Sequence, residues 1–140
     1  MNRVLVTFPR FVDIYAEARV GNSYGRFEGG QGKSFRKMLE RAFQSKARII
    51  PIATWNDWGE GTMIEPSHEF GYRDLETVLQ LRRQYTPSSG SASTLDHLRL
   101  PARLFQQRRK QPSADRTKQL DQIASLLANG KFAAAAALLP

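Results

Sequence analysis

Apolar side chains come first in unbroken runs and later at three- and four-residue spacing, and the two patterns predict different elements. Val4-Leu5-Val6-Thr7-Phe8 is a short β-branched run stopped by Pro9, and Ile49-Ile50-Pro51-Ile52-Ala53-Thr54-Trp55 is a second. Continuous runs of this kind suit parallel strands covered on both faces. Pro51 lacks the N–H that an inner strand donates, so a bulge or a strand that effectively begins at Ile52 is expected. Between the runs, Phe35, Met38, Leu39, Ala42 and Phe43 fall at i, i+3, i+4, i+7 and i+8, with Lys37, Glu40, Arg41 and Gln44 on the other face. That spacing predicts an amphipathic helix, with Ser34 as its N-cap. Tyr72, Leu75, Val78, Leu79 and Arg82 mark a further helix from about Gly71 to Gln84.

From Tyr85 the composition changes to Thr86-Pro87-Ser88-Ser89-Gly90-Ser91-Ala92-Ser93, a flexible linker. The chain is therefore divided into a domain over 1–85, a linker over 86–97 and a basic helical tail over 98–140. Within the tail, Leu98 to Lys110 forms a helix whose start is confined by Pro101, with Leu100, Leu104 and Phe105 as candidates for its inner side. Thr117 to Ala128 follows with Leu120, Ile123, Ala124 and Leu127 on one stripe. Asn129-Gly130 supplies a C-terminal turn, and Phe132 to Leu139 is a short alanine-rich helix. The pair resembles one helical-repeat unit, but a solenoid needs about three repeats. The tail is read as docking on something else.

Where the second apolar run ends, Thr54-Trp55-Asn56-Asp57-Trp58-Gly59-Glu60-Gly61-Thr62 sets two carboxylates three positions apart between and beside two tryptophans. Cleaving a glycosidic bond takes one carboxyl group to protonate the leaving oxygen and a second as base or nucleophile, and indole faces suit the C–H faces of a sugar ring. A lone D-x-x-E carries little information, and acidic residues after a strand often cap a turn. The longer segment from Ile52 to Tyr72, IATWNDWGEGTMIEPSHEFGY, resembles the signature of glycoside hydrolase family 71/99-like proteins, W-N-[DE]-W-x-E-G-T-x-I-E-P. Trp55, Asn56, Asp57, Trp58, Glu60, Gly61, Thr62, Ile64, Glu65 and Pro66 all fall in register.

The resemblance implies an α/β chain that is the C-terminal fragment of a (β/α)8 TIM barrel, its last two strand and helix units, followed by the helical tail. A complete barrel needs about 250 residues, so the first six strands would be absent and the 140-residue chain would be a glycosidase by resemblance but an incomplete one. It assigns Glu60 as general acid/base and Asp57 as its partner, with Trp55, Asn56, Trp58, Glu65 and Tyr15 as substrate-binding candidates. Packing is the competing role for Trp55 and Trp58, and bonding to backbone amides for Glu65. The implied reaction is hydrolysis of an α-linked glycosidic bond, in an α-mannoside or an α-glucan. Family 99 usually has Glu at the Asp57 position and acts by retention assisted by the sugar's own 2-hydroxyl; family 71 more often has Asp and inverts. The implied partners are a carbohydrate substrate and the missing N-terminal barrel portion. Two alternatives stand beside the hydrolase: a non-catalytic carbohydrate-binding remnant, and a basic interaction module binding a polyanion.

Composition narrows these readings. With 41% hydrophobic residues the chain is globular in character, and no apolar run approaches the roughly 18 residues of a spanning helix. No signal peptide opens it, which leaves the compartment unknown. Zero cysteine excludes disulfides and thiolate metal sites, and no cofactor or metal is expected. Glu65 and His68 make only half of a carboxylate-bridged di-metal pattern. Gly32-Lys33-Ser34 does not complete a phosphate loop, because Phe27 stands where that motif needs glycine. The net charge of +8 owes much to Arg99, Arg103, Arg108, Arg109, Lys110, Arg116 and Lys118, offset in that stretch only by Asp115. A single aromatic there, Phe105, gives no stacking platform, which weighs against nucleic acid and for a solvated face. The glycine-rich loop from Arg10 to Lys33, with Tyr15, Tyr24 and Phe27, has a length typical of functional or disordered loops. Asp13, Tyr15 and Glu17 are its candidate sugar contacts, against the alternative of solvated loop residues.

Overall fold

The computed structural model describes residues 4–86 and 93–139. The chain divides into two compact units, 1–88 and 89–140. In the first, the two apolar runs lie parallel: Leu5 N–H donates to Ile49 O at 3.4 Å, Thr7 N–H to Pro51 O at 2.9 Å and Ala53 N–H to Thr7 O at 2.9 Å. Helix α1 (Lys33–Gln44) lies between the two runs in sequence, the crossover order of a βαβ unit. In a continuous ladder the next donor would be the N–H of residue 51, aimed at Leu5 O. Proline has none. The pairing therefore survives only as two isolated bridges, Val4 with Ile49 and Thr7 with Ile52.

The first run departs from the expectation of a strand covered on both faces, since Val4 is 55% and Val6 59% exposed. The second is covered on one side, where Ile50 and Ile52 pack on a core of Phe35, Leu39 and Leu81 shared by α1 and α2 (Arg73–Tyr85). Phe43 of α1 stacks on Tyr85 of α2, ring centroids 5.3 Å apart. The helix start differs from expectation. Ser34 lies inside α1, and the chain enters through Gly32 in the left-handed region (φ 86) with no side-chain cap. Helix α2 keeps part of its predicted stripe, with Leu79 buried and Val78 packed on the core, but Asp74, Thr77 and Leu81 are buried as well, at i, i+3 and i+7, while Arg82 faces water. The loop from Arg10 to Lys33 is partly ordered by a two-residue antiparallel pairing of β1 (Phe11–Val12) with β2 (Arg26–Phe27).

In the second unit, a 3-10 turn over Asp96–Arg99 leads into α3 (Leu100–Arg108), α4 (Ala114–Ala128) and α5 (Phe132–Leu138). Leu100, Leu104, Leu120, Ile123, Ala135 and Leu139 form its core. Phe105 is 60% exposed and not inward. Helix α4 starts three residues earlier than predicted because Ser113 caps it, its hydroxyl accepting from Arg116 N–H. At its end, Gly130 N–H donates to Leu127 O and Lys131 N–H to Leu126 O, the Schellman pattern that turns the chain into α5. Of the linker expected over 86–97, residues 87–92 lie outside the described residues, and Asp96 and His97 belong to the 3-10 turn.

Candidate active site

The acidic segment is a loop closed at its neck by threonines. Thr54 N–H donates to Thr62 O and Ile64 N–H to Thr54 O, both at 3.0 Å, and the Thr54 and Thr62 hydroxyls meet at 2.9 Å. Thr54 Oγ1 also accepts from Asp57 N–H at 3.0 Å, and Asp57 Oδ1 accepts from Glu60 N–H at 3.0 Å. Asp57 thus has a structural task, closing the turn on which Glu60 sits. Its other oxygen, Oδ2, makes no hydrogen bond among the described residues.

Glu60 is fixed from the other side by the first long loop. Val12 N–H donates to Glu60 O at 2.9 Å and Ile14 N–H to Gly59 O at 3.0 Å, laying the segment after β1 along the acidic turn. Gly61 is required by that approach: at φ +66, a Cβ there would stand 2.9 Å from Val12 O. Three residues beyond β1, the Tyr15 hydroxyl donates to Glu60 Oε1 at 3.1 Å. This bond, then partial desolvation and the charges of Glu60 and Asp57, pushes the Tyr15 phenol above its ordinary value of 10.0. Asp13 holds Tyr15 in place, Oδ1 accepting from Tyr15 N–H and Oδ2 from Tyr24 N–H and Ser23 Oγ. Tyr24 closes edge-on against Tyr15, centroids 5.7 Å apart.

The aromatic candidates stand outside any core. Trp55 is 52% and Trp58 51% exposed, and Trp58 Nε1–H donates to Glu65 Oε2 at 3.2 Å, which fixes the edge of the indole and leaves its face open. Glu65 therefore braces Trp58, and its own N–H is held by Trp55 O. Asn56 is exposed, its side chain without a hydrogen bond among the described residues. Asp57, Glu60 and Tyr15 are brought together; Trp58 and Glu65 form a neighbouring pair. Glu17 is exposed, with no contact to this group. No group of three or more His, Asp or Glu among the described residues is placed to hold a metal ion.

One residue escaped the sequence reading. Arg10 is 3% exposed; its Nη1 donates to Asp74 Oδ2 at 2.7 Å, its Nη2 to Met63 O at 2.6 Å, and its guanidinium lies 3.7 Å over the Phe70 ring. It ties the end of the first run to the exit of the acidic loop and to α2. Burial pushes its pKa down from the ordinary arginine value, and Asp74 opposes the shift. The available signal was position: a charged residue directly after an apolar run and a proline, where a strand ends. A cavity of about 510 Å³ opens beside it, lined among others by Arg10, Trp58, Met63, Glu69, Phe70 and Arg73.

A carboxylate pair on one turn, a phenol on one of them and a half-exposed indole alongside are the equipment of a carbohydrate-active protein. The family model described as glycosyltransferase WbsX matches residues 7–78, half of the chain, and the chain belongs to that family. The family falls in the superfamily related to family 99 endo-mannosidases, which supports a glycosyl-processing function and the family 99 side of the resemblance; nothing in the match is specific to family 71. No curated protein and no solved structure matches the chain. No helix among the described residues is long and apolar enough to cross a membrane.

Proposed function

We propose that this chain carries the acid/base pair of an enzyme that cleaves α-linked glycosidic bonds, α-mannosides first and α-glucans second, as part of a (β/α)8-type barrel. The observation that carries this is Glu60, held on a turn by Asp57 and engaged at one oxygen by Tyr15. With Oε1 occupied by the Tyr15 hydroxyl, Oε2 is the oxygen from which a proton passes to the departing glycosidic oxygen. As that bond breaks, Asp57 Oδ2 accepts the proton of the attacking hydroxyl: a water molecule in direct inversion, or the sugar's own 2-hydroxyl in the family 99 manner, after which ionised Glu60 deprotonates a water that opens the 1,2-anhydro ring at C1 and Asp57 returns its proton to O2. The parallel apolar runs flanking α1 support the barrel, since both end at the loops that carry Tyr15 and Glu60.

The exposure of Val4 and Val6 favours one second reading, a carbohydrate-binding remnant that keeps the aromatic wall without the full catalytic enclosure. Incubating the protein with α-linked manno- and gluco-oligosaccharides, with product analysis and binding measured side by side, separates the two. Released products that disappear in Asp57→Asn and Glu60→Gln support catalysis; binding with no product from any form supports the remnant. The polyanion reading has less behind it, because Arg108 and Lys118 lie within ion-pair distance of Asp121 and Asp115 and Arg103 bonds to Leu139 O.

A further inference from the structure

Asp57 and Glu60 do not line the cavity beside Trp58, although Trp58 and Gly61 of the same turn do. Its volume lies in the range of small-molecule sites, and its lining has an uneven charge arrangement. Asp74, 3% exposed, accepts from two guanidiniums at once, Arg10 Nη1 at 2.7 Å and Arg73 Nε at 3.1 Å. Among the described residues, Asp74 is the one carboxylate in ion-pair contact with either of them, and Glu69 acts on Arg10 from a greater distance. Arg10 Nε is buried without a partner, and the terminal nitrogens of Arg73 make no hydrogen bond among the described residues. Arg73 also lies against the start of α1: a Cβ on Gly32 would stand 2.9 Å from Arg73 Nε. That helix end has neither a side-chain cap nor an acidic residue in its first turn, so its positive end adds to the two guanidiniums.

We infer that this cavity is a subsite for a sugar residue bearing one negatively charged substituent, a carboxylate or a phosphate. The inference rests on the glycan reading above and extends it to the substrate's chemistry. The charged group sits at Arg73 beside the α1 start, where a planar guanidinium with free nitrogens gives a paired hydrogen bond. The ring lies on the Trp58 face. Of the two lining carboxylates, Glu28 is paired with Arg26 at 2.8 Å, and Glu69 is exposed and makes no ion pair among the described residues. Glu69 at the rim is an acceptor for ring hydroxyls, and its charge disfavours a polyanion over a singly charged sugar.

The test compares three ligands on the full chain by calorimetry: an α-linked uronate-containing oligosaccharide, the same oligosaccharide with its carboxyl reduced to the alcohol, and the corresponding sugar phosphate, with inorganic phosphate alone as a fourth arm. The acidic members bind about ten-fold tighter than the neutral one, and Arg73→Gln removes the difference while leaving the neutral affinity in place. Arg10 still holds Asp74 in that variant, so the fold is kept, which circular dichroism checks. Preference for the uronate over the sugar phosphate, or the reverse, identifies the substituent. Equal binding of acidic and neutral members, or a preference that survives Arg73→Gln, overturns the subsite and leaves the glycan reading standing. Arg73-dependent binding of inorganic phosphate with no saccharide bound would keep the anion site and overturn the glycan reading instead.

Discussion

At the scale of single residues, the site depends on side chains whose partners lie far away in sequence. Tyr15 and Glu60 meet across 45 positions, and the bond raises the phenol's pKa. A tyrosine whose folded pKa is raised adds stability that is fully present below the unfolded value near 10 and is lost as pH climbs through the folded value. An ultraviolet titration of phenolate therefore shows one tyrosine ionising late, and Glu60→Gln, which removes the largest cause, brings it back toward the ordinary value. An unchanged late titration in that variant would place the cause elsewhere. Tyr15→Phe lowers turnover about ten-fold with little change in melting temperature, as expected for loss of one hydrogen bond to a charged group. Arg10→Ala acts on stability: it strands Asp74 with Arg73 alone at 3% exposure, and a loss of about 3 to 5 kcal/mol in denaturant unfolding is expected. Arg10 went unread because its place after an apolar run and a proline is a weak signal by itself, and the partners that explain its burial, Met63 O, Phe70 and Asp74, lie 53 to 64 positions on.

At the scale of elements, the helices and the parallel placement of the two apolar runs were legible, and the interrupted form of the strand pairing was not. The three-and-four spacing located α1 to within a residue or two, since Phe35, Leu39 and Ala42 are buried as their positions require. Its entry through Gly32, two positions before Ser34, was missed because serine is a favoured N-cap residue and the left-handed backbone of Gly32 is not written in the sequence. For α2 the element was right and the face only in part: Leu79 is buried and Val78 packs on the core as expected, while Arg82 is exposed and Asp74 and Thr77 are buried outside the expected stripe. The effect of Pro51 was legible in kind, a disturbed strand, but its form depends on the missing donor opposite Leu5 O. Pro51→Ala returns that donor, and hydrogen exchange should find a protected amide at position 51; rapid exchange there would contradict the ladder described. In the second unit, Ser113→Ala costs about 1 kcal/mol of stability through loss of the α4 cap.

At the scale of the whole molecule, the acidic signature carried most of the function that could be read, and the family match over 7–78 agrees with it at the level of glycosyl processing. Asp57, Glu60 and Tyr15 were named from the sequence and share one site; Trp55 and Trp58 were named as substrate-binding candidates with packing as the competing role, and both are half exposed. The cavity could not be read, because its walls come from the long loop, the acidic turn and α2, spread along the chain from Arg10 to Arg73. The central claim is that Glu60 donates a proton to the departing oxygen, and leaving-group dependence tests it most directly. In kcat/KM, which reports the step in which the leaving group departs, an unactivated α-glycoside should fall by about a hundred- to ten-thousand-fold in Glu60→Gln, while an aryl glycoside whose leaving group needs no proton stays near the parent value. Equal loss on both substrates, or no loss on either, would contradict Glu60 as the general acid.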